Sequence, residues 1–215
     1  MTDRRGAGFG PLAVPVLAMT AVVVLSNFAV QYPVQGRIGP VDLADLLTWG
    51  AFTYPLAFLV NDLTNRRFGV AATRRVVCVG FAVAVVLSVW LATPRIAIAS
   101  GSAFLAGQLL DVTVFNWLRR QAWWRAPLAG SVLGSVLDTA LFFTLAFAPA
   151  AALIGASDAF AIEYAPLLGA FAPDVPRWMS WALGDLSVKL LAALVLLMPY
   201  GALMSIIRPF EAVRS

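Results

Sequence analysis

Trp181-Ala-Leu-Gly-Asp185-Leu-Ser-Val-Lys189-Leu-Leu-Ala-Ala193 contains the only lysine of the 215-residue chain, set in the middle of a hydrophobic run. Apolar sequence continues on both sides, from Arg177 to Ile207, which is long enough for a helix to cross a hydrocarbon layer of about 30 Å. An ammonium placed there costs roughly 2.5–3.5 kcal/mol on insertion scales, so a chain that keeps its one lysine at that depth uses it. Asp185 stands one helical turn before it, on the same face. The remaining cations are arginines, and nearly all of them lie between apolar segments. That contrast separates charges that orient the chain in a bilayer from charges that act inside it.

Composition agrees with a membrane interior. Hydrophobic residues make up 61% of the chain and charged residues 12%, with a mean hydropathy of +0.86. Soluble domains carry roughly 25% charged residues. The expected fold class is therefore all-α, a polytopic membrane protein forming one transmembrane bundle over 1–215. A pI near 9.8 does not signal nucleic acid, because the arginines come in short clusters one crossing apart and form no basic face. The single cysteine, Cys78, excludes an internal disulfide, and the absence of histidine removes the commonest metal ligand and proton shuttle. No metal and no cofactor is expected. Met1-Thr-Asp-Arg-Arg5 ahead of an apolar run resembles a signal peptide, but the run is long enough to span and lacks a small-x-small cleavage site, so it reads as an uncleaved first helix.

Six spans can be marked off, at approximately 11–32, 47–64, 75–92, 94–118, 127–153 and 177–207. Eleven of the fourteen arginines then fall on one side: Arg4, Arg5, Arg66, Arg67, Arg74, Arg75, Arg119, Arg120, Arg125, Arg208 and Arg214. By the positive-inside rule that side, with both termini, is cytoplasmic. The opposite loops hold Asp42, Asp45, Asp158, Glu163 and Asp174. Trp49, Trp90, Trp178 and Trp181 fall at outer ends and Trp117, Trp123 and Trp124 at inner ends, as interfacial indoles do. The stretch 150–176 is too short to cross and reads as an outer-surface or re-entrant segment.

Within the spans, polar residues form stripes. Asn27 and Gln31 share a face of the first helix. In the fourth, Phe104, Gln108, Asp111 and Phe115 line one stripe beside a ridge of Ala99, Ala103 and Gly107. The fifth repeats this with Ser131, Ser135, Asp138 and Phe142 beside Gly130 and Gly134. Small ridges bring helices close, and carboxylate stripes face a protein interior or an aqueous cavity. The GxxxG step is a weak signal for a homodimer, since the same spacing packs helices within one chain. Counted at 1.5 Å per residue, Gln108, Asp138 and Lys189 lie near mid-depth, Asp62 and Asp111 nearer the cytoplasm, and Asp185 nearer the outside. Bland readings stand beside these: an internal Asp185–Lys189 pair, Asp62 paired with Arg66 or Arg67 at the boundary, and Asn27 and Gln108 as interhelical glue. Asp138 has no cation on its own helix and must be paired, protonated or solvated.

Beside this reading stands a resemblance. Ser26-Asn27-Phe-Ala-Val-Gln31, Thr48-Trp-Gly-Ala-Phe-Thr-Tyr-Pro-Leu-Ala-Phe-Leu-Val-Asn-Asp62-Leu-Thr64, Arg95-Ile-Ala-Ile-Ala-Ser100, Gly107-Gln-Leu-Leu-Asp111-Val-Thr-Val-Phe-Asn116 and Asp138-Thr-Ala-Leu-Phe-Phe143 resemble the signature segments of the queuosine precursor transporter family. Asp185 with Lys189, and Met198-Pro-Tyr-Gly201, are similar to its final helix. The resemblance implies a multi-pass protein of the bacterial inner membrane that imports 7-deazaguanine bases, preQ0 or preQ1. It also implies functional roles for Asn27, Gln31, Asp62, Gln108, Asp111, Asp138, Asp185 and Lys189.

The chemistry suits such a substrate. A guanine-like edge offers adjacent N–H donors that a carboxylate accepts as a pair, while an amide or lysine donates to the ring carbonyl. Phe104, Phe115, Phe142 and Phe143 are candidates for flanking the planar base. No Gly-rich phosphate loop is present, so a secondary carrier or facilitator is expected. The alternatives are a substrate-binding membrane subunit served by a separate energising module and an intramembrane enzyme, the latter disfavoured by the lack of a nucleophile with a base.

Overall fold

Long apolar stretches satisfy their backbone groups internally as helices, and the computed structural model, which describes residues 9–207, is mostly helical. The arginines at 4, 5, 208 and 214 that were counted for orientation lie outside those residues. Four helices, α1 (Phe9–Ala29), α4 (Val70–Leu91), α5 (Pro94–Leu118) and α6 (Arg125–Phe147), are each long and apolar enough to cross a membrane. A fifth such path runs from Arg177 to Met204, as α8 (Arg177–Val195) and α9 (Leu197–Met204) joined at a kink on Leu196. The protein is thus multi-pass. Between α1 and α4 lie a short α2 (Gly50–Thr53) and α3 (Leu56–Phe68).

The expected span at 47–64 is not one straight apolar helix. Pro55 has no N–H to donate and interrupts the ladder between α2 and α3, and α3 continues to Phe68 with polar residues along one face. Its last turn carries Arg66 and Arg67, where cations complement the helix dipole. Gly69 then turns the chain into α4 at φ 78°, a conformation that favours glycine.

The helix α5 begins with Thr93, whose hydroxyl accepts from the Ile96 amide, followed by Pro94 in the first turn. Its partner is α6, and the two approach through their glycines. A Cβ on Gly107 would lie 3.0 Å from the Gly134 carbonyl oxygen, and a Cβ on Gly134 3.0 Å from the Gly107 oxygen. The small ridges thus bring the two backbones into contact within one chain. A core of Met19, Val23, Ala57, Val76, Val77, Ala84, Phe104 and Val112 joins α1, α3, α4 and α5.

Arg95 does not turn outward, as a boundary arginine would. It is 4% exposed, and its guanidinium donates to the carbonyls of Leu145, Ala148 and Gly155 and to the Ser157 hydroxyl. Two of those carbonyls close the end of α6, so the cation caps that helix and does not offset the interior aspartates.

The all-α expectation needs one amendment: the loops carry two small antiparallel hairpins. One pairs β1 (Arg37–Ile38) with β2 (Val41–Asp42); the Ala44 amide, and then the Arg37 guanidinium, hold the Asp42 carboxyl below its usual range. The other lies in 150–176, where a 3-10 turn (Pro149–Ile154) and α7 (Ala159–Ile162) precede β3 (Tyr164–Leu167) and β4 (Phe171–Pro176). This segment does not cross the bundle. It is fastened to the start of α8, because Ser180 accepts from the Leu168 amide and Arg177 pairs with Glu163 at 3.3 Å.

Candidate functional site

The buried charges converge on Lys189. Its ammonium lies 2.7 Å from Asp138 Oδ2 on α6 and 2.6 Å from Asp185 Oδ2 one turn earlier on α8, with the Thr139 hydroxyl at 3.3 Å. Three donors meet three acceptors, so the lysine is fully satisfied. Tyr54, at the break between α2 and α3, donates to Asp138 Oδ1 at 2.8 Å, and its ring lies 4.9 Å from the ammonium. Thr139 donates to Asp185 Oδ2 at 2.8 Å. Asp185 is the more open carboxylate, 17% exposed against 6% for Asp138. Two carboxylates and one ammonium leave the group one negative charge in excess.

This triad borders a cavity of about 360 Å³, within the roughly 300–1,000 Å³ typical of small-molecule sites. Its wall also includes Asn27, Phe104, Phe142 and Phe143. The cavity opens among the segments where α1 and α6 end and α5 and α8 begin. Phe142, Phe143, Phe147 and Trp181 form a connected aromatic cluster, with Phe142–Phe143 centroids 5.0 Å apart and Phe147–Trp181 5.4 Å. Trp181 is therefore part of the cavity wall and not solely an interfacial anchor.

Five of the twelve residues singled out from sequence stand away from this cavity. Gln31 is exposed and reaches back to the Asn27 carbonyl. Phe115 packs on Tyr200, centroids 6.3 Å apart. Asp62, Gln108 and Asp111 lie in a separate buried layer, where Asn61 donates to the Gln108 carbonyl and to Asp111 Oδ2, both at 3.2 Å. Asp62 makes no ion pair with Arg66 or Arg67 among the described residues; Arg66 instead donates to the Met204 carbonyl. Sequence reasoning missed Tyr54, Thr139, Asn61, Asn65 and Phe147. Tyr54, Asn61 and Thr139 sit inside quoted segments, and for Tyr54 the pairing of a phenol with a proline inside an apolar run was the available signal.

A solute-sized cavity lined by aromatic rings and an ion triad, inside a bundle of membrane-crossing helices, is the arrangement of a small-molecule transporter. The family model described as "Putative vitamin uptake transporter" matches residues 48–93 and 88–204. A protein of Escherichia coli (strain K12) named "Queuosine precursor transporter" is 35% identical over 208 residues, covering 86% of this chain and 83% of that protein. A "Probable queuosine precursor transporter" of Haemophilus influenzae is 32% identical over 214 residues, with the same coverage. The chain belongs to this transporter family. No solved structure matches it.

Proposed function

We propose that the protein imports 7-deazaguanine queuosine precursors, preQ0 and preQ1, across the bacterial inner membrane as a secondary carrier or facilitator. The observation that carries this reading is the Asp138 carboxylate, held by Tyr54 and Lys189 at the wall of an aromatic cavity. A carboxylate offers about four lone-pair sites, and two remain for the paired N–H donors of a guanine-like edge. Asp185 Oδ1 supplies a further acceptor. Phe104, Phe142 and Phe143 give the flat base apolar surface, and Asn27 adds an amide to the cavity wall. The excess negative charge favours preQ1, whose aminomethyl group is cationic, over the neutral nitrile of preQ0.

We read the chain as six spans with both termini cytoplasmic. The backbone at Tyr54 and Pro55 keeps helical angles, so residues 50–68 follow one kinked path of about 28 Å at 1.5 Å per residue. The positive-inside reading of the arginines supports this orientation, with the cavity toward the outside. Uptake of labelled preQ0 and preQ1 into proteoliposomes of the purified protein tests the reading. Accumulation of unchanged base is the expected result. Binding without any uptake would favour a subunit that relies on a separate energising module, and chemical conversion of the base would favour an enzyme.

A further inference from the structure

The buried layer beneath the cavity has a composition that packing does not explain. Asn61, Asp62 and Asn65 on α3 and Asp111 on α5 are all 2% exposed or less. The two asparagines spend their N–H groups on α5: Asn61 on the Gln108 carbonyl and Asp111 Oδ2, Asn65 on the Val112 carbonyl at 3.1 Å. Those partners are all acceptors, which fixes which end of each amide points at α5. Asn61 Oδ1, Asn65 Oδ1, Asp62 Oδ1 and Asp111 Oδ1 are then buried acceptor oxygens, and none receives a hydrogen bond; the unmatched buried donors nearby are Gln108 Nε2 and Arg66 Nε.

Neither Asp62 nor Asp111 makes an ion pair among the described residues, while Lys189 is engaged by Asp138 and Asp185 and Arg95 by the end of α6. The other charged and titratable side chains around the layer are Arg66 on α3, which donates to the Met204 carbonyl, Tyr200 on α9, and Arg119 at the end of α5; Tyr54 and Asp138 lie on the cavity side. On α6, Gly130 presents bare backbone to Asp111 Oδ1. Two carboxylates with no ion pair among the described residues are costly in a membrane interior, and their oxygens together with the two asparagine amide oxygens suit a small hard cation. Asp111 lies seven residues, about 10 Å, along α5 from the cavity residue Phe104, close enough for the two sites to share a helix and far enough not to share a ligand.

We propose that Asp62 and Asp111, with the amide oxygens of Asn61 and Asn65, bind a monovalent cation, H+ or Na+, whose movement is coupled to that of the solute. The coupling rests on the transport reading above; cation binding itself does not. A cation that binds only the folded state raises its stability. The test is the thermal unfolding midpoint of the purified chain in detergent, with NaCl exchanged for choline chloride at constant ionic strength and with pH varied from 5.5 to 8. A Na+ site gives a saturable rise with Na+; a proton site gives, in sodium-free buffer, a midpoint that falls as pH rises. Either response should be lost in Asp111→Asn and in Asp62→Asn, two isosteric variants that provide a second chance if one fails to fold. For Na+, Asn65→Leu should raise the half-saturating concentration several-fold.

A midpoint indifferent to both cations, a response unchanged in both aspartate variants, or a response to Mg2+ or Ca2+ alone would overturn the proposal. In proteoliposomes, an inward gradient of the same cation should speed net preQ1 uptake at least several-fold. Asp111→Asn should keep exchange of labelled for unlabelled base while losing that acceleration. Acceleration preserved in Asp111→Asn would overturn the coupling. If the wild-type chain moves no base at all while the cation response persists, the transport reading fails and the cation site stands.

Discussion

Lys189 donates across 2.7 Å from α8 to Asp138 on α6, so the one lysine of the chain ties together two helices whose charges would otherwise be stranded. The same ammonium holds Asp185 on its own helix. The i,i+4 pair visible in the sequence is therefore half of a larger group, and removing the lysine affects both carboxylates at once.

Lys189→Met should destabilise the fold strongly. Breaking a buried ion pair by removing one partner costs about 3–5 kcal/mol, because the remaining charge stays buried. A large drop in the thermal unfolding midpoint in detergent is expected. The double variant Lys189→Met with Asp138→Asn should recover part of it, since one stranded charge is then removed. Absence of any recovery would mean the two side chains do not depend on each other.

Tyr54→Phe keeps the ring against Phe58 and Phe104, whose centroids lie 6.1 Å away, and deletes the hydroxyl that fixes Asp138 Oδ1. A hydrogen bond to a charged group contributes about 1.5–3 kcal/mol. Precursor affinity should fall roughly tenfold or more with little change in expression. Equilibrium binding by the variant measures this directly.

Gly134→Ala should be poorly tolerated, because the new Cβ would lie 2.6 Å from the Phe58 ring and 3.0 Å from the Gly107 carbonyl oxygen. Overpacking of this kind costs about 1–3 kcal/mol. Gly10→Ala is the control: nothing lies within 4 Å of its Cβ. The unfolding midpoint should fall in Gly134→Ala and stay close to wild type in Gly10→Ala.

Arg95→Ala should free the end of α6 and the segment that follows it, since four acceptors lose their donor. Limited proteolysis within 149–176 should accelerate in the variant. Lysine at 95 should rescue only in part, as one ammonium cannot reproduce the planar fork of a guanidinium.

The long helices were legible because hydrophobic length is a local property, and the Gly107–Gly134 contact because small residues recur at helical spacing. The second segment was harder to read. Its break depends on Pro55, and its polar face on Asn61, Asp62 and Asn65 meeting α5, which no pattern within the segment discloses. Asp138 and Lys189 stood out because each was anomalous alone; that they bond to each other, 51 positions apart, is a property of the packing. Gln108 and Asp111 were read as one stripe with Phe104. The structure divides that stripe, with Phe104 lining the cavity and Asp111 held in the buried layer by Asn61. Depth along a helix was readable from the sequence, but enclosure by the neighbouring helix was not.

The assignment of the cavity as the precursor site is tested most directly by equilibrium binding of preQ1 and preQ0 to purified wild-type protein and Asp138→Asn. The variant keeps the size of the side chain but turns one acceptor oxygen into a donor and removes the charge. The wild type should bind preQ1 more tightly than preQ0, with an advantage that shrinks as salt is raised, and folded Asp138→Asn should lose at least tenfold in affinity for both. Undiminished binding by Asp138→Asn would contradict the account and leave Asp138 a purely structural partner of Lys189.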